Sequence, residues 1–238
     1  MSGRPKLLDL FCCEGGAAMG YSKAGFAVVG VDINPQPRYP FEFHQGNALD
    51  VLRRLIDGES LLFDGFWDDD EDNVDSSLAL DDFDAIHASP PCQAHTNAWK
   101  IQKNDHPDLI APTRRLLVES RLPYIIENVP GAPLHDPVML CGAMFALRTY
   151  RHRLFESNVT ITVREHPVHV ARNAKMGRLV QDDEYMQVVG NFTGAALGRI
   201  VMEMPWASRD GLREAIPPAY TEFIGAQLLA SLSGEVTA

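Results

Sequence analysis

The stretch that decides the fold is KLLDLFCCEGGAAMG, residues 6–20. It opens on a short apolar run, too brief for a helix and suited to a strand buried on both faces. Gly15 and Gly16 follow, where the backbone must turn tightly and can approach a ligand. A helix-like stretch then continues to about residue 25. Strand, glycine-rich turn and helix form the first half of a βαβ unit. FAVVGVD (26–32) reads as the second buried strand, ending in an acid. HQGNALDVLRRLI (44–56) reads as a turn feeding an amphipathic helix, with Asn47 placed to cap it.

Working outward, FDAIHA (83–88), PYIIENV (123–129), RLFES (153–157) and MQVVG (186–190) read as strands. APTRRLLVESR (111–121) and the stretches near 194–203 and 218–232 read as helices. Short apolar strands alternating with helices predict an α/β, Rossmann-like fold, a mostly parallel sheet with helices on both faces. In such sheets ligands bind beyond the carboxyl ends of the strands. Asp9–Gly16, Asp32, Asn47, Ser89–Cys92 and Glu127–Asn128 all fall at or just past predicted strand ends, along one edge. The turn lacks G-x-x-x-x-G-K-[ST], which argues against a nucleoside-triphosphate loop.

The chain has 238 residues, 45% hydrophobic and 22% charged, in the range of a globular protein with a full core. No apolar run approaches a membrane span, and the start lacks the apolar stretch of a signal peptide, so a cytoplasmic setting and no membrane partner are expected. The four cysteines then read as thiols. They form no C-x-x-C pair and no histidine cluster completes a zinc site, so no metal is expected. The net charge is −11, but ten of the 32 acidic residues lie in residues 64–84, leaving 22 acids against 21 lysines and arginines. A block of like charge reads as a solvated loop, insert 64–82, with docking of a partner protein as the alternative. The charge balance therefore does not exclude nucleic acid.

HASPPCQAHTNAW (87–99) sets Cys92 behind Pro90 and Pro91, on a stiffened turn where a strand ends. A thiol held there is suited to nucleophilic attack, which requires exposure and a lowered pKa. In IIEN, Glu127 follows three apolar residues, where an unpaired charge is costly. It can act as a proton donor or hydrogen-bond partner to a ring nitrogen, or serve as one half of a salt bridge. Arg151 and Arg153, two apart on a strand, are expected on one face. They could hold a carbonyl and the thiol loop, or contact phosphates. Asp32 can accept both ribose hydroxyls of an adenosine, and Asn47 can meet the adenine edge while capping its helix.

In this order DLFCCEGG, VDIN, GNALD, SPPCQ, ENVPGAP, RHRLFE and AIPPAYTEFIGAQLL resemble the DNA (cytosine-5) methyltransferase family. The likeness covers roughly 6–57, 83–157 and 187–232. It implies S-adenosylmethionine as methyl donor, Cys92 as nucleophile, Glu127 on the base, Arg153 on the cytosine carbonyl and Arg151 supporting the loop. It also implies Phe11 and Ile33 against the adenine, Asp32 on the ribose, and Gly15 and Gly16 at the methionine end, with Asp9, Asn47 and Pro91 completing the cofactor site. The implied partner is cytosine-containing, double-stranded DNA with the target base flipped out. The setting it implies is the cytoplasm of a bacterium or a phage-infected host cell, in the manner of restriction-modification enzymes. Cys13, Asn47 and Glu214 stand where that family usually has a glycine, an acid and an asparagine.

On this reading residues 1–157 and 187–232 form the catalytic domain and 158–186 a vestigial target-recognition segment, with 233–238 a polar tail. So short a recognition segment implies short or relaxed sequence specificity. Two other functions remain: a catalytically silent scaffold that binds DNA or a partner, and the same chemistry on RNA or a free cytosine nucleotide.

Overall fold

The computed structural model describes residues 3–64, 76–91, 108–175 and 177–234. Its centre is a seven-stranded sheet. Strand β1 (Lys6–Leu10) lies between β2 (Ala27–Asp32) and β6 (Ala85–Ala88), parallel to both. Beyond β2 comes β3 (Glu42–Gln45), and beyond β6 comes β7 (Tyr124–Asn128), again parallel. β9 (Arg153–Ser157) then enters antiparallel between β7 and the edge strand β8 (Val138–Leu140). The order β3-β2-β1-β6-β7-β9-β8 reverses direction between β1 and β6. That reversal opens a crevice at the carboxyl ends of these two strands.

Successive residues of β1 point to opposite faces, and both faces are covered. Leu7 joins Tyr21, Phe26, Ile125, Phe155, Tyr220 and Leu228 in one core; Leu8 and Leu10 join Val29, Leu52, Ile86, Leu117 and Ile126 in the other. The first core is closed by α1 (Gly16–Ala24) and the long terminal helix α6 (Pro218–Leu232). The second is closed by α2 (Ala48–Ile56) and α3 (Ile110–Ser120). A Cβ on Gly20 would lie 2.1 Å from both the Pro218 carbonyl oxygen and Thr221 Oγ1, so only glycine allows α1 and α6 this approach. The Thr221 hydroxyl donates to the Ala17 carbonyl at 2.8 Å across the same contact.

A third, smaller core gathers Met186, Val188, Phe192, Met202, Met204 and Leu212 around α4 (Ala195–Met202) and α5 (Arg209–Glu214). MQVVG is not a strand. Met186 and Val188 are buried in alternation, but against this helical cluster rather than beside a neighbouring strand. The regular structure nearby is a two-residue parallel contact between β10 (Arg172–Asn173) and β11 (Glu184–Tyr185). The acidic window also carries structure at its ends. Within it β5 (Ser76–Leu78) pairs antiparallel with β4 (Leu61–Phe63), and Leu78 is buried. Among the described residues no helix is long and apolar enough to cross a membrane.

Candidate active site

The crevice at the β1–β6 reversal is a cavity of about 470 Å³, in the size range of small-molecule sites. Of the residues singled out in the sequence, Asp9, Phe11, Gly16, Asp32, Ile33, Asn47, Pro91, Glu127 and Arg153 line it. Gly15 lies just behind, as the left-handed residue (φ 80°) that starts α1. Cys92 lies outside the described residues; Pro90 and Pro91, which precede it in the sequence, line the cavity.

Beyond β1 the chain turns sharply. Phe11 and Cys13 adopt φ 60° and 47°, a region costing a non-glycine residue about 1–2 kcal/mol. The Asp32 carboxylate, at the end of β2, holds this turn: Oδ2 accepts from the Cys13 N–H at 3.0 Å and Oδ1 from the Asn34 N–H at 2.9 Å. Each oxygen keeps lone pairs toward the cavity for a pair of hydroxyls. Asn47 caps α2, its Oδ1 accepting from the N–H groups of Leu49 (2.9 Å) and Asp50 (3.4 Å). That leaves the amide NH2 as the end free to meet a ligand.

Asp9 is fully buried, and neither of its carboxylate oxygens has a hydrogen-bond partner among the described residues. Burial raises its pKa well above the carboxylate range, and the charges of Asp32 and Glu127 add to the effect. Glu214, from the opposite wall, is also raised by burial. Four carboxyl groups thus share a cavity with the guanidinium groups of Arg153 and Arg213. Such a cavity favours a cationic ligand carrying vicinal hydroxyls, and S-adenosylmethionine, with its sulfonium, ammonium and ribose, fits this donor set.

At the floor, Glu127 ends β7 and its pKa is raised by burial, against the opposing pull of Arg153, Ser89 and Arg151. Arg153 Nε stands 2.8 Å from Oε1. The two groups form a largely buried ion pair at the cavity wall. The next residue secures the proline turn: Asn128 Nδ2 donates to the Pro90 carbonyl at 2.9 Å.

Behind Glu127 runs a buried chain that sequence reasoning missed. The Ser89 hydroxyl bonds to the Glu127 carboxylate, His87 Nε2 lies 2.9 Å from Ser89 Oγ, and His87 Nδ1 lies 3.0 Å from the Tyr21 hydroxyl. Burial lowers the His87 pKa to about 3, so the ring is neutral. With Glu127 ionised, Ser89 must donate to it. The serine oxygen then accepts from Nε2–H, and Nδ1 accepts from Tyr21, so every proton points toward Glu127. The available signal was a histidine inside an apolar strand, where an imidazole needs partners.

Arg151 and Arg153 do not share a strand face. β9 starts at Arg153, and Arg151 precedes it with φ 28°. The buried Arg151 guanidinium instead donates to the carbonyls of Ala215 (Nε, 2.7 Å), Arg213 (Nη2, 2.8 Å) and Val188. It thereby fixes the wall formed by Arg213–Ile216. A second staple was equally invisible in the sequence: the Glu14 carboxylate accepts from Ser208 N and Oγ, both at 2.6 Å, and Trp206 Nε1 donates to the Glu14 carbonyl at 2.7 Å.

No protein-family model and no curated protein matches the chain. Solved structures do. One is a candidate DNA modification methyltransferase encoded within a prophage (E. coli), with TM-score 0.62 and 13% identity over 97% of this chain and 100% of that one. Another is the S. pombe Dnmt2 methyltransferase, with TM-score 0.53 and 13% identity over 96% of this chain and 99% of that one. The α/β, Rossmann-like fold of this chain is therefore one that these two solved structures share.

Proposed function

We propose that the chain transfers a methyl group from S-adenosylmethionine to C5 of cytosine in DNA. One observation carries this reading. The buried Glu127–Arg153 ion pair opens onto the same cavity as Asp32, Asp9 and the proline turn that leads into Cys92. The fold likeness and the motif order support it.

In this reading Asp32 receives the ribose hydroxyls, Phe11 and Ile33 flank the adenine, Asn47 meets its edge, and Asp9 faces the cationic end of the donor. Gly15, Gly16 and Pro91 allow the close approach. When bound, S-adenosylmethionine supplies an electrophilic methyl group. C5 of cytosine is a poor nucleophile until the Cys92 thiolate adds to C6. Glu127, its pKa raised, delivers a proton to N3 as that bond forms, and Arg153 holds the O2 carbonyl. C5 then carries the electron pair that takes the methyl group; loss of the C5 proton expels the thiolate. The target base leaves the duplex to reach the site, because C6 is inaccessible in the stack. Arg151 acts through the wall it holds.

The test is incubation of the purified chain with S-adenosylmethionine and duplex DNA containing 5-fluorocytosine. Fluorine blocks the final elimination, so a denaturation-resistant adduct is expected with the wild type and none with Cys92→Ala, which should still bind the donor. Donor binding without any adduct would instead support a silent scaffold. An adduct on RNA alone would move the same chemistry to another substrate.

A further inference from the structure

Outside the cavity, four residues that the sequence scatters over 29 positions converge: Cys141, His152, His166 and His169 each offer a ligand atom, and all four atoms lie within 4.8 Å of one another. Cys141 follows β8 and is fully buried, and His152 immediately precedes β9. The other two come from residues 158–171, a stretch without helix or strand. Cys141 Sγ lies 3.5 Å from His169 Nε2, and His152 Nε2 lies 3.0 Å from His166 Nε2. We propose that these four side chains bind a structural zinc ion. This replaces the expectation of no metal site.

The geometry suits that ion. Zn–S and Zn–N bonds of about 2.3 and 2.05 Å at tetrahedral angles require S···N and N···N edges of about 3.5 and 3.3 Å. The Cys141–His169 edge already matches, the His152–His166 edge needs a few tenths of an ångström, and the other four edges lie within 4.8 Å. One thiolate and three imidazoles form a donor set that suits zinc over calcium or magnesium, which take oxygen ligands. Four protein ligands leave no open position, as in structural rather than catalytic zinc sites. Binding releases the Cys141 thiol proton and leaves a local charge of one positive unit.

Support around the cluster is also built. The Tyr150 ring stacks on His169 with centroids 3.5 Å apart, and its hydroxyl donates to the Ala171 carbonyl at 2.7 Å and accepts from the Ala171 N–H at 3.0 Å. A long irregular segment needs some such tie to hold one conformation. The ion would anchor it to both strands at the edge of the sheet. It would also fix His152, the residue between Arg151 and Arg153.

The experiment is metal analysis of the full chain expressed with zinc and purified without chelator. The expected result is close to one zinc per chain, falling to less than about a tenth in Cys141→Ser and in the double variant His166→Ala, His169→Ala, with thermal stability lowered by chelation and restored by zinc. Should the variants fail to fold, cobalt substitution of the wild type reads the site directly. Thiolate-to-cobalt charge transfer in the near ultraviolet and intense visible bands of four-coordinate cobalt are expected. A wild-type chain holding less than about half an equivalent of zinc and giving no such spectrum would overturn the assignment. So would variants that retain zinc at the wild-type level.

Discussion

Replacing His87 with glutamine tests the buried chain behind Glu127 through its response to pH. In the native chain the imidazole pKa is lowered from 6.5 to about 3 by burial alone. The unfolded chain therefore takes up this proton first as pH falls, and stability is lost from about pH 6.5 downward until the folded ring titrates near 3. Each pH unit inside that window costs about 1.4 kcal/mol, so between pH 7 and pH 5 the imidazole removes about 2 kcal/mol. Asp9, Glu127 and Glu214 work the other way. Their raised pKa values make the folded chain the better proton acceptor, adding stability as pH falls through their folded values toward the unfolded ones. Wild-type behaviour is the sum, and the difference from His87→Gln isolates the imidazole. Glutamine keeps one polar contact and never titrates, so the variant should be less stable by about 1–2 kcal/mol at pH 7. Between pH 7 and pH 5 that deficit should vanish or reverse. Urea unfolding at both pH values measures it. Parallel pH dependence in the two proteins would refute a neutral, buried imidazole at this position.

Gly20→Ala should lower Tm by about 2–12 °C in calorimetry, because a methyl group 2.1 Å from two oxygens forces α1 away from α6 at a cost of roughly 1–3 kcal/mol. Cys13→Gly should stabilise the chain by about 0.5–1 kcal/mol in urea unfolding, since relief of the left-handed conformation outweighs glycine's added freedom in the unfolded state. Arg151→Lys should cost about 2–4 kcal/mol, because an ammonium cannot span the carbonyls of Val188, Arg213 and Ala215 as the guanidinium does. Stability equal to the wild type would remove Arg151 from the role of holding the cavity wall.

The central strands were legible because both of their faces are buried, which writes near-continuous apolar runs into the sequence. β1, β2, β6 and β7 lie within a residue or two of where composition puts them, as do α2, α3 and α6. The edge strands were not legible. β3, EFHQ, is only half-buried and carries neither an apolar run nor a clear alternation, and β8, VML, is apolar but only three residues long, too short to stand out as a strand. MQVVG failed for the opposite reason. Its alternation is real, but periodicity two reports an extended chain with one side buried and is silent about whether a strand lies alongside. The Arg151–Arg153 inference failed at a boundary, since parity applies only inside the strand and β9 begins at the second arginine.

In the site, the sequence revealed positions and hid partners. Strand ends are one-dimensional facts, so Asp9, Asp32 and Glu127 could be assigned to one edge before any contact was known. What holds them comes from far along the chain: Tyr21 and His87 behind Glu127, Ser208 on Glu14, the carbonyls of Arg213 and Ala215 on Arg151. Asn47 shows how one letter can carry two readings. As a cap it must turn its oxygen to the Leu49 and Asp50 N–H groups, and it does. A carboxylate there would have kept a second oxygen for an amine; the amide keeps only donors. An adenine at this wall would then meet Asn47 through a ring nitrogen rather than its exocyclic amine, so the cap determines which edge of the base is read.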